Sequence, residues 1–280
     1  MNQIHFEKQQ GVAVIRLDNA PVNGLSHAVR KGIVDGICQA ELDQEIKAII
    51  IIGSQNMFSG GADIREFGTA AVTAKPNLLN VIDIVETSTK PVIAAISGIC
   101  MGGGLELSLG CHFRVVASSA QLALPEVKIG LIPGAGGTQR LPRIIGVEAA
   151  LNMIVSGETV RAEMLQATPL FDEFIEGDLL AGAIAFAHKV VSEKRSLKRV
   201  RDLKVSHPKP EAFFMFVRNS VGSVSKNYPA PLKCVEAVQA CLTQSFEDGM
   251  QTEARLFGEL YLGGESQALR HLFLSERNAA

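Results

Sequence analysis

PVIAAISGICMGGGLELSLGCHFR, residues 91–114, decides how this chain folds. Between Lys90 and Arg114 the one formally charged side chain is Glu106, set among apolar and very small residues. Burying an ionised carboxylate without partners is costly, so such a group pairs, protonates or works. The stretch is long enough to raise the question of a membrane span. Pro91, Ser97-Gly98 and Gly102-Gly103-Gly104 break it into short pieces, whereas a span wants about 20 consecutive apolar helical residues. It reads instead as a buried strand, PVIAAIS, a glycine turn and a helix around Glu106, followed by the strand FRVVAS (113–118). Three and four positions from Glu106 on that helix stand Gly102, Gly103, Leu109 and Gly110, a face without a counter-charge. Leu105, Leu107 and Leu109 argue against a solvated surface glutamate. The glycines leave room for a ligand against the backbone, and the N–H groups that open a helix favour developing negative charge. A carboxylate beside such a site predicts proton transfer next to a carbonyl.

Outward from this stretch, Ile4–Glu7 and GVAVIRL (11–17) alternate as a hairpin. Ser26 caps a predicted helix whose Val29, Ile33 and Ile37 share a face. AIIII (48–52) is apolar on both sides, as strands with parallel neighbours are. A helix over roughly 76–88 leads into PVIAAIS, and QLALP supplies a further short strand. The order is strand, strand, helix, repeated, which is not the strict alternation of a doubly wound sheet. Helices are predicted at 137–145 and 147–156. Beyond about residue 178 the pattern is nearly all helical, with candidates at 178–191, 210–220, 231–243, 246–262 and 265–277. This gives an α/β core over 1–190 and a helical region over 191–280.

Composition limits the function classes. The 280 residues are 47% hydrophobic and 20% charged, with a formal net charge of −2, so no electrostatic case exists for nucleic acid or an anionic membrane. The five cysteines are odd in number and include no CxxC pair, which predicts reduced core thiols in a cytosol-like compartment. MNQIHFEKQQ has no apolar signal core, so secretion is not expected and the chain reads as soluble. The six histidines show no HExxH or close Cys/His spacing, so no metal site is expected, and His112 reads as a dipole partner at a helix end.

Two more stretches carry candidate chemistry. FSGGADIREF (58–67) is a Gly-Gly turn after a buried strand, where Ala62 can present its amide N–H. ALPEVKIGLIPGAGGTQRLPR (123–143) carries Glu126 just past a strand, ahead of a Pro-Gly turn; the bland reading is a surface residue paired with Lys128. GAGGTQR is neither a dinucleotide fingerprint nor a phosphate loop, and the chain has no GxSxG elbow.

FSGGADIREF, ISGICMGGGLELSLGC and LPEVKIGLIPGAGGTQRL, in this order, resemble the enoyl-CoA hydratase/isomerase (crotonase) family over about residues 11–190. PLKCVEAVQACL and ELYLGGESQALRHLFLSER are similar to members in which a hydratase/isomerase half precedes a 3-hydroxyacyl-CoA dehydrogenase half. The resemblance implies a crotonase-type spiral of strand-strand-helix units. It implies a 2-enoyl-CoA hydratase of fatty-acid β-oxidation with Δ3-Δ2-enoyl-CoA isomerase activity, acting on an acyl-CoA thioester. By position, Ala62 and Gly103 match the amide donors of the oxyanion hole, and Glu106 and Glu126 match the catalytic glutamate pair. Gly134 matches a backbone donor near the reacting water. Gly60, Asp63, Ile64 and Arg65, with Val22, match the segment along which CoA lies, and Arg65 stands where a lysine is common. No metal or held cofactor is implied; NAD belongs to a dehydrogenase part expected to be covalently continuous with this chain. No GxGxxG occurs here, and the chain stops at SERNAA after a helix with Leu269, Leu272 and Phe273 on one face, so a longer native protein is expected. The implied compartment is the cytoplasm of a bacterium or, in a eukaryote, the peroxisome. Alternatives are another acyl-CoA isomerase or CoA-thioester enzyme on this fold, or an acyl-CoA-binding domain without turnover.

Overall fold

An apolar run without alternation belongs to a strand covered on both faces, and Ala48–Gly53 is buried along its whole length. The computed structural model describes residues 3–72, 74–225 and 228–279. It opens with β1 (Ile4–Gln9), β2 (Val12–Leu17), α1 (His27–Leu42), β3 (Ala48–Gly53), α2 (Leu78–Thr87) and β4 (Val92–Ile96). β5 (Ile99–Met101), α3 (Gly103–Gly110), β6 (Phe113–Val116) and β7 (Gln121–Ala123) follow. Then come α4 (Gly137–Ile145), α5 (Val147–Ser156), β8 (Val160–Arg161), β9 (Glu173–Phe174) and α6 (Leu179–Ser192). The remainder is α7 (Pro210–Val224), α8 (Pro229–Thr243), α9 (Phe246–Leu262) and α10 (Gly264–Ala279).

The chain divides into two compact units: Met1–Leu122 with Val160–Val200, and Ala123–Thr159 with Arg201–Ala280. The division is not a single cut near residue 190, because 123–159 folds with the C-terminal helices.

In the first unit, six strands pair in the order β1-β2-β3-β4-β6-β9. β1 and β2 form the expected antiparallel hairpin, with Phe6 opposite Ile15, and every later pairing in this sheet is parallel. Ile50 and Ile52 point with Ile93, Phe113 and Val115 into a core completed by Ile184, Phe186 and Val190 of α6. Phe113 and Phe186 meet edge to face at 5.8 Å between ring centroids, a favoured aromatic geometry. α1 begins where Ser26 accepts a hydrogen bond from the Val29 amide, which satisfies a donor the helix itself cannot. A second sheet of β5, β7 and β8 gathers the short strands. Sequence reading places β7 but misses β5, β8 and β9, pieces of two or three residues with too few positions to show a period.

The second unit is helical. α5 and α8 each pack against α4, α9 packs on α8 and α4, α7 on α8, and α10 on α9. α8 contributes a buried stripe of Cys234, Val235, Ala237, Val238 and Cys241, the spacing of an amphipathic helix facing a core. In α10, Leu272 remains exposed while Leu269 and Phe273 are half-buried.

Candidate active site

Two glycine turns of the first unit are stitched into one surface. The segment after β3 runs beside β5: Ser59 N–H donates to Ile99 O at 3.0 Å, and Met101 N–H donates to Ser59 O at 2.9 Å. The fully buried Ser59 donates its hydroxyl to Asn23 O and accepts from Gly61 N–H, which pins the Gly60-Gly61 turn. Gly60 N–H donates to Val22 O at 2.7 Å, and Leu25 N–H donates to Gly61 O at 2.8 Å. Val22 and Gly60, two of the expected substrate-binding positions, are therefore in direct contact. Gly61 has φ +100°, and a methyl group there would lie 2.8 Å from Met101 O and 3.1 Å from Gly103 N. A methyl at Gly103 would lie 2.7 Å from Leu78 Cδ2 and 3.2 Å from Ala62 N. Only glycine permits this approach, and it places the amides of Ala62 and Gly103 side by side. Gly103 is the first residue of α3, where no earlier carbonyl of the helix can accept its N–H.

Glu106 follows one turn later, on the same side of α3 as Gly103, and is 3% exposed. Every residue of α3 is buried, so the helix has no solvated face on which Glu106 could lie. The other end of α3 is held by a cation. Arg114 of β6, 2% exposed, donates to Ser108 O at 3.1 Å and Cys111 O at 2.7 Å, the last carbonyls of the helix. It also donates to Leu170 O, and its backbone N–H donates to Asp172. A guanidinium at a helix C-terminus complements the macrodipole, and here it adds a second donor to Ser108 O, which also accepts from Cys111 N–H. Sequence reading gives that task to His112. The ring of His112 is instead fully buried, with Nδ1 accepting from Val92 N–H at 3.0 Å and Nε2 at 3.2 Å from Glu86 O. One nitrogen accepts and the other faces a carbonyl, which is the pattern of a neutral ring, and burial lowers its pKa below the ordinary histidine value.

The segment after Ala62 is a short 3-10 turn over Ile64–Glu66 with Asp63 as its N-cap. Asp63 grips Arg65 with both oxygens, Oδ1 to Nε at 2.8 Å and Oδ2 to an outer nitrogen at 2.7 Å. The Arg65 guanidinium holds the Asp63 carboxyl below its usual range. Arg65 itself is largely exposed, and the pair uses two of its five N–H donors. Behind the turn, the buried Arg30 binds Glu66 at 2.8 Å together with the carbonyls of Leu25, Ala71 and Pro76. Glu66 in turn accepts from His27 N–H. Sequence reading missed Arg30 and Glu66, whose partners lie 36 residues apart in the chain.

Glu126 and Gly134 belong to the second unit. Glu126 lies in the 3-10 turn Pro125–Ile129, which Gly130 closes in the left-handed conformation. Lys128, the bland partner for Glu126, pairs with Glu158 at 2.8 Å instead. The Oε2 atom of Glu126 is shut off from solvent. The negative charge of Glu126 adds to burial in pushing up the Cys234 thiol, so this cysteine is an inert neighbour of the carboxylate. Gly134 packs against Phe257 of α9, where a methyl group would approach the ring to 2.6 Å. Among the described residues no group of three His, Cys, Asp or Glu could hold a metal ion, and no helix is long and apolar enough to cross a membrane.

The family profile described as enoyl-CoA hydratase/isomerase matches residues 7–211. The peroxisomal bifunctional enzyme of Pongo abelii is 41% identical over 272 residues, covering 96% of this chain and 37% of that protein. Its counterpart from Danio rerio is 40% identical, covering 97% and 38%. This chain thus spans little more than a third of the length of these relatives. Among solved structures, the enoyl-CoA hydratase from Bacillus anthracis superposes with a TM-score of 0.63 at 27% identity, covering 98% of this chain and 96% of that one. The chain belongs to the enoyl-CoA hydratase/isomerase family and has the crotonase fold.

Proposed function

We propose that this chain hydrates trans-2-enoyl-CoA to 3-hydroxyacyl-CoA and interconverts 3-enoyl- and 2-enoyl-CoA, as a step of fatty-acid β-oxidation. The observation that carries the reading is the close approach of the Gly61-Ala62 turn to Gly103, one helical turn from the buried Glu106. In hydration, water oxygen bonds to C3, the C2–C3 π pair moves toward the thioester, and C2 then takes a proton. The thioester oxygen becomes enolate-like on the way. Two N–H donors aimed at that oxygen contribute roughly 3 kcal/mol each, by comparison with donors removed from other such sites. Glu106 and Glu126 are assigned to the proton traffic, in which one water proton leaves and one proton reaches C2, for a gain on the order of 10² to 10⁴ in rate. Isomerisation moves one proton from C2 to C4 and needs one shuttle, assigned to Glu126.

The oxidation state of the acyl chain does not change, so the step is written without a redox cofactor. Val22, Gly60, Asp63, Ile64 and Arg65 are assigned to the CoA moiety. Arg65 suits this role because its exposed guanidinium keeps N–H donors beyond the Asp63 pair for phosphate. The product is the substrate of an NAD-dependent 3-hydroxyacyl-CoA dehydrogenase, and a covalent link to that activity belongs to this proposal. The names of the relatives place those proteins in peroxisomes. Incubation with crotonyl-CoA in heavy-oxygen water tests the reading. Label at the 3-hydroxyl of the product supports hydration, and unchanged crotonyl-CoA refutes it.

A further inference from the structure

The loop that carries Gly134 is held by a residue far along the chain. α9 presents Glu253 and Phe257 on one face, four positions apart, toward residues 134–138. Phe257 backs Gly134 so closely that no side chain fits there. Glu253, 1% exposed, accepts from Gly136 N–H at 2.7 Å through one oxygen. Its other oxygen accepts from Thr138 N–H at 3.0 Å and from the Thr138 hydroxyl at 2.5 Å. Gln139 then donates to the Thr138 hydroxyl and to Ala237 O of α8, which ties the loop to a second helix. The amides of Gly136 and Thr138 flank the start of α4, whose positive dipole end favours a carboxylate.

We infer that Glu253 is a positioning residue for hydration: its carboxylate fixes the Gly134–Thr138 backbone, and with it the amide of Gly134 that holds the reacting water. This rests on the proposed hydratase reading together with the family resemblance by which Gly134 matches a backbone donor near the reacting water. A cap serving only the stability of α4 would need one accepting oxygen. Here both oxygens are used, on successive parts of the glycine-rich segment GAGG and the Thr138 that follows it. A backbone donor displaced by about 1 Å loses on the order of 10²-fold in rate, so a loop of this kind needs such a clamp.

The test compares three variants of the full chain in crotonyl-CoA hydration. In Glu253→Gln one oxygen becomes an NH₂ group facing N–H donors, and kcat is expected to fall about 10- to 100-fold with KM within about threefold. Thr138→Val removes the hydroxyl alone and should lower kcat by a smaller factor. Phe214→Ala, a truncation of a buried side chain on α7, is the stability control. It should lower the melting temperature at least as much as Glu253→Gln and leave kcat within about twofold. The inference is overturned if Glu253→Gln keeps wild-type kcat, or if Phe214→Ala loses as much kcat as Glu253→Gln does. Should Glu253→Gln fail to fold, Thr138→Val decides alone: kcat lowered at unchanged KM supports the inference, and unchanged kcat overturns it. A wild-type chain without hydration would refute the functional reading itself, an outcome distinct from active wild type with unaffected variants.

Discussion

The amide nitrogen of Ala62 lies 3.2 Å from the point a Cβ on Gly103 would occupy. These residues are 41 positions apart in sequence, and Gly61 and Gly103 are what allow their turns to touch. Gly103→Ala should push the Ala62 amide and Leu78 apart by a few tenths of an ångström. The variant should fold, bind acyl-CoA near wild-type strength, and lose about 10- to 100-fold in kcat. Steady-state kinetics together with isothermal titration of a non-reactive acyl-CoA separates the two effects; weakened binding at unchanged kcat would deny the amides a role in the transition state.

Glu106→Gln and Glu126→Gln should each lower hydration by about 10² to 10⁴. If both serve one proton path, the double variant should lose little more than the weaker single variant, because groups acting as a unit are not additive. Glu106→Gln should spare isomerisation of 3-enoyl-CoA far more than hydration. Multiplicative losses in the double variant would separate the two carboxylates into independent roles.

Arg114→Met removes the cation that fills the carbonyls at the end of α3. Taking this donor from the Cys111 and Leu170 carbonyls should cost roughly 3 kcal/mol or more in unfolding free energy. The urea midpoint should fall accordingly. An unchanged midpoint would mean that these carbonyls find other partners.

His112 gives a pH signature. Its folded pKa lies below the unfolded value of 6.5, so the unfolded chain takes up this proton first as pH falls. Stability from this residue is therefore complete above pH 6.5 and declines as pH drops below it, toward the lower folded pKa. Melting temperatures between pH 7.5 and 5.5 should fall more steeply for wild type than for His112→Gln. Parallel slopes would show that His112 does not titrate between the two states.

Much of this architecture is legible in the sequence, for local reasons. The helices 137–145, 147–156 and 246–262 have the bounds expected, because Gly136, Gly146 and Ser245 mark their starts within one residue. Ala62, Gly103 and Glu106 are marked by glycine next to a carboxylate in an apolar run. What escaped is long-range. Nothing near Arg114 says that it reaches back to the end of α3, and nothing near Glu253 points to a loop 115 residues earlier. His112 misled because a histidine at a helix end suits a dipole, while the fold surrounds it with Val92 and Glu86 backbone from other elements. The folding of 123–159 with the C-terminal helices is likewise invisible to a scan for linkers.

Hydration through Glu106 is read directly from the loss of enoyl-thioester absorbance when purified chain meets crotonyl-CoA, run beside Glu106→Gln of matched melting temperature. Steady hydration is expected of the wild type, and a rate at least about 10²-fold lower of the variant. A folded wild type that leaves crotonyl-CoA untouched, or a Glu106→Gln chain that hydrates it at the wild-type rate, would contradict hydration through Glu106.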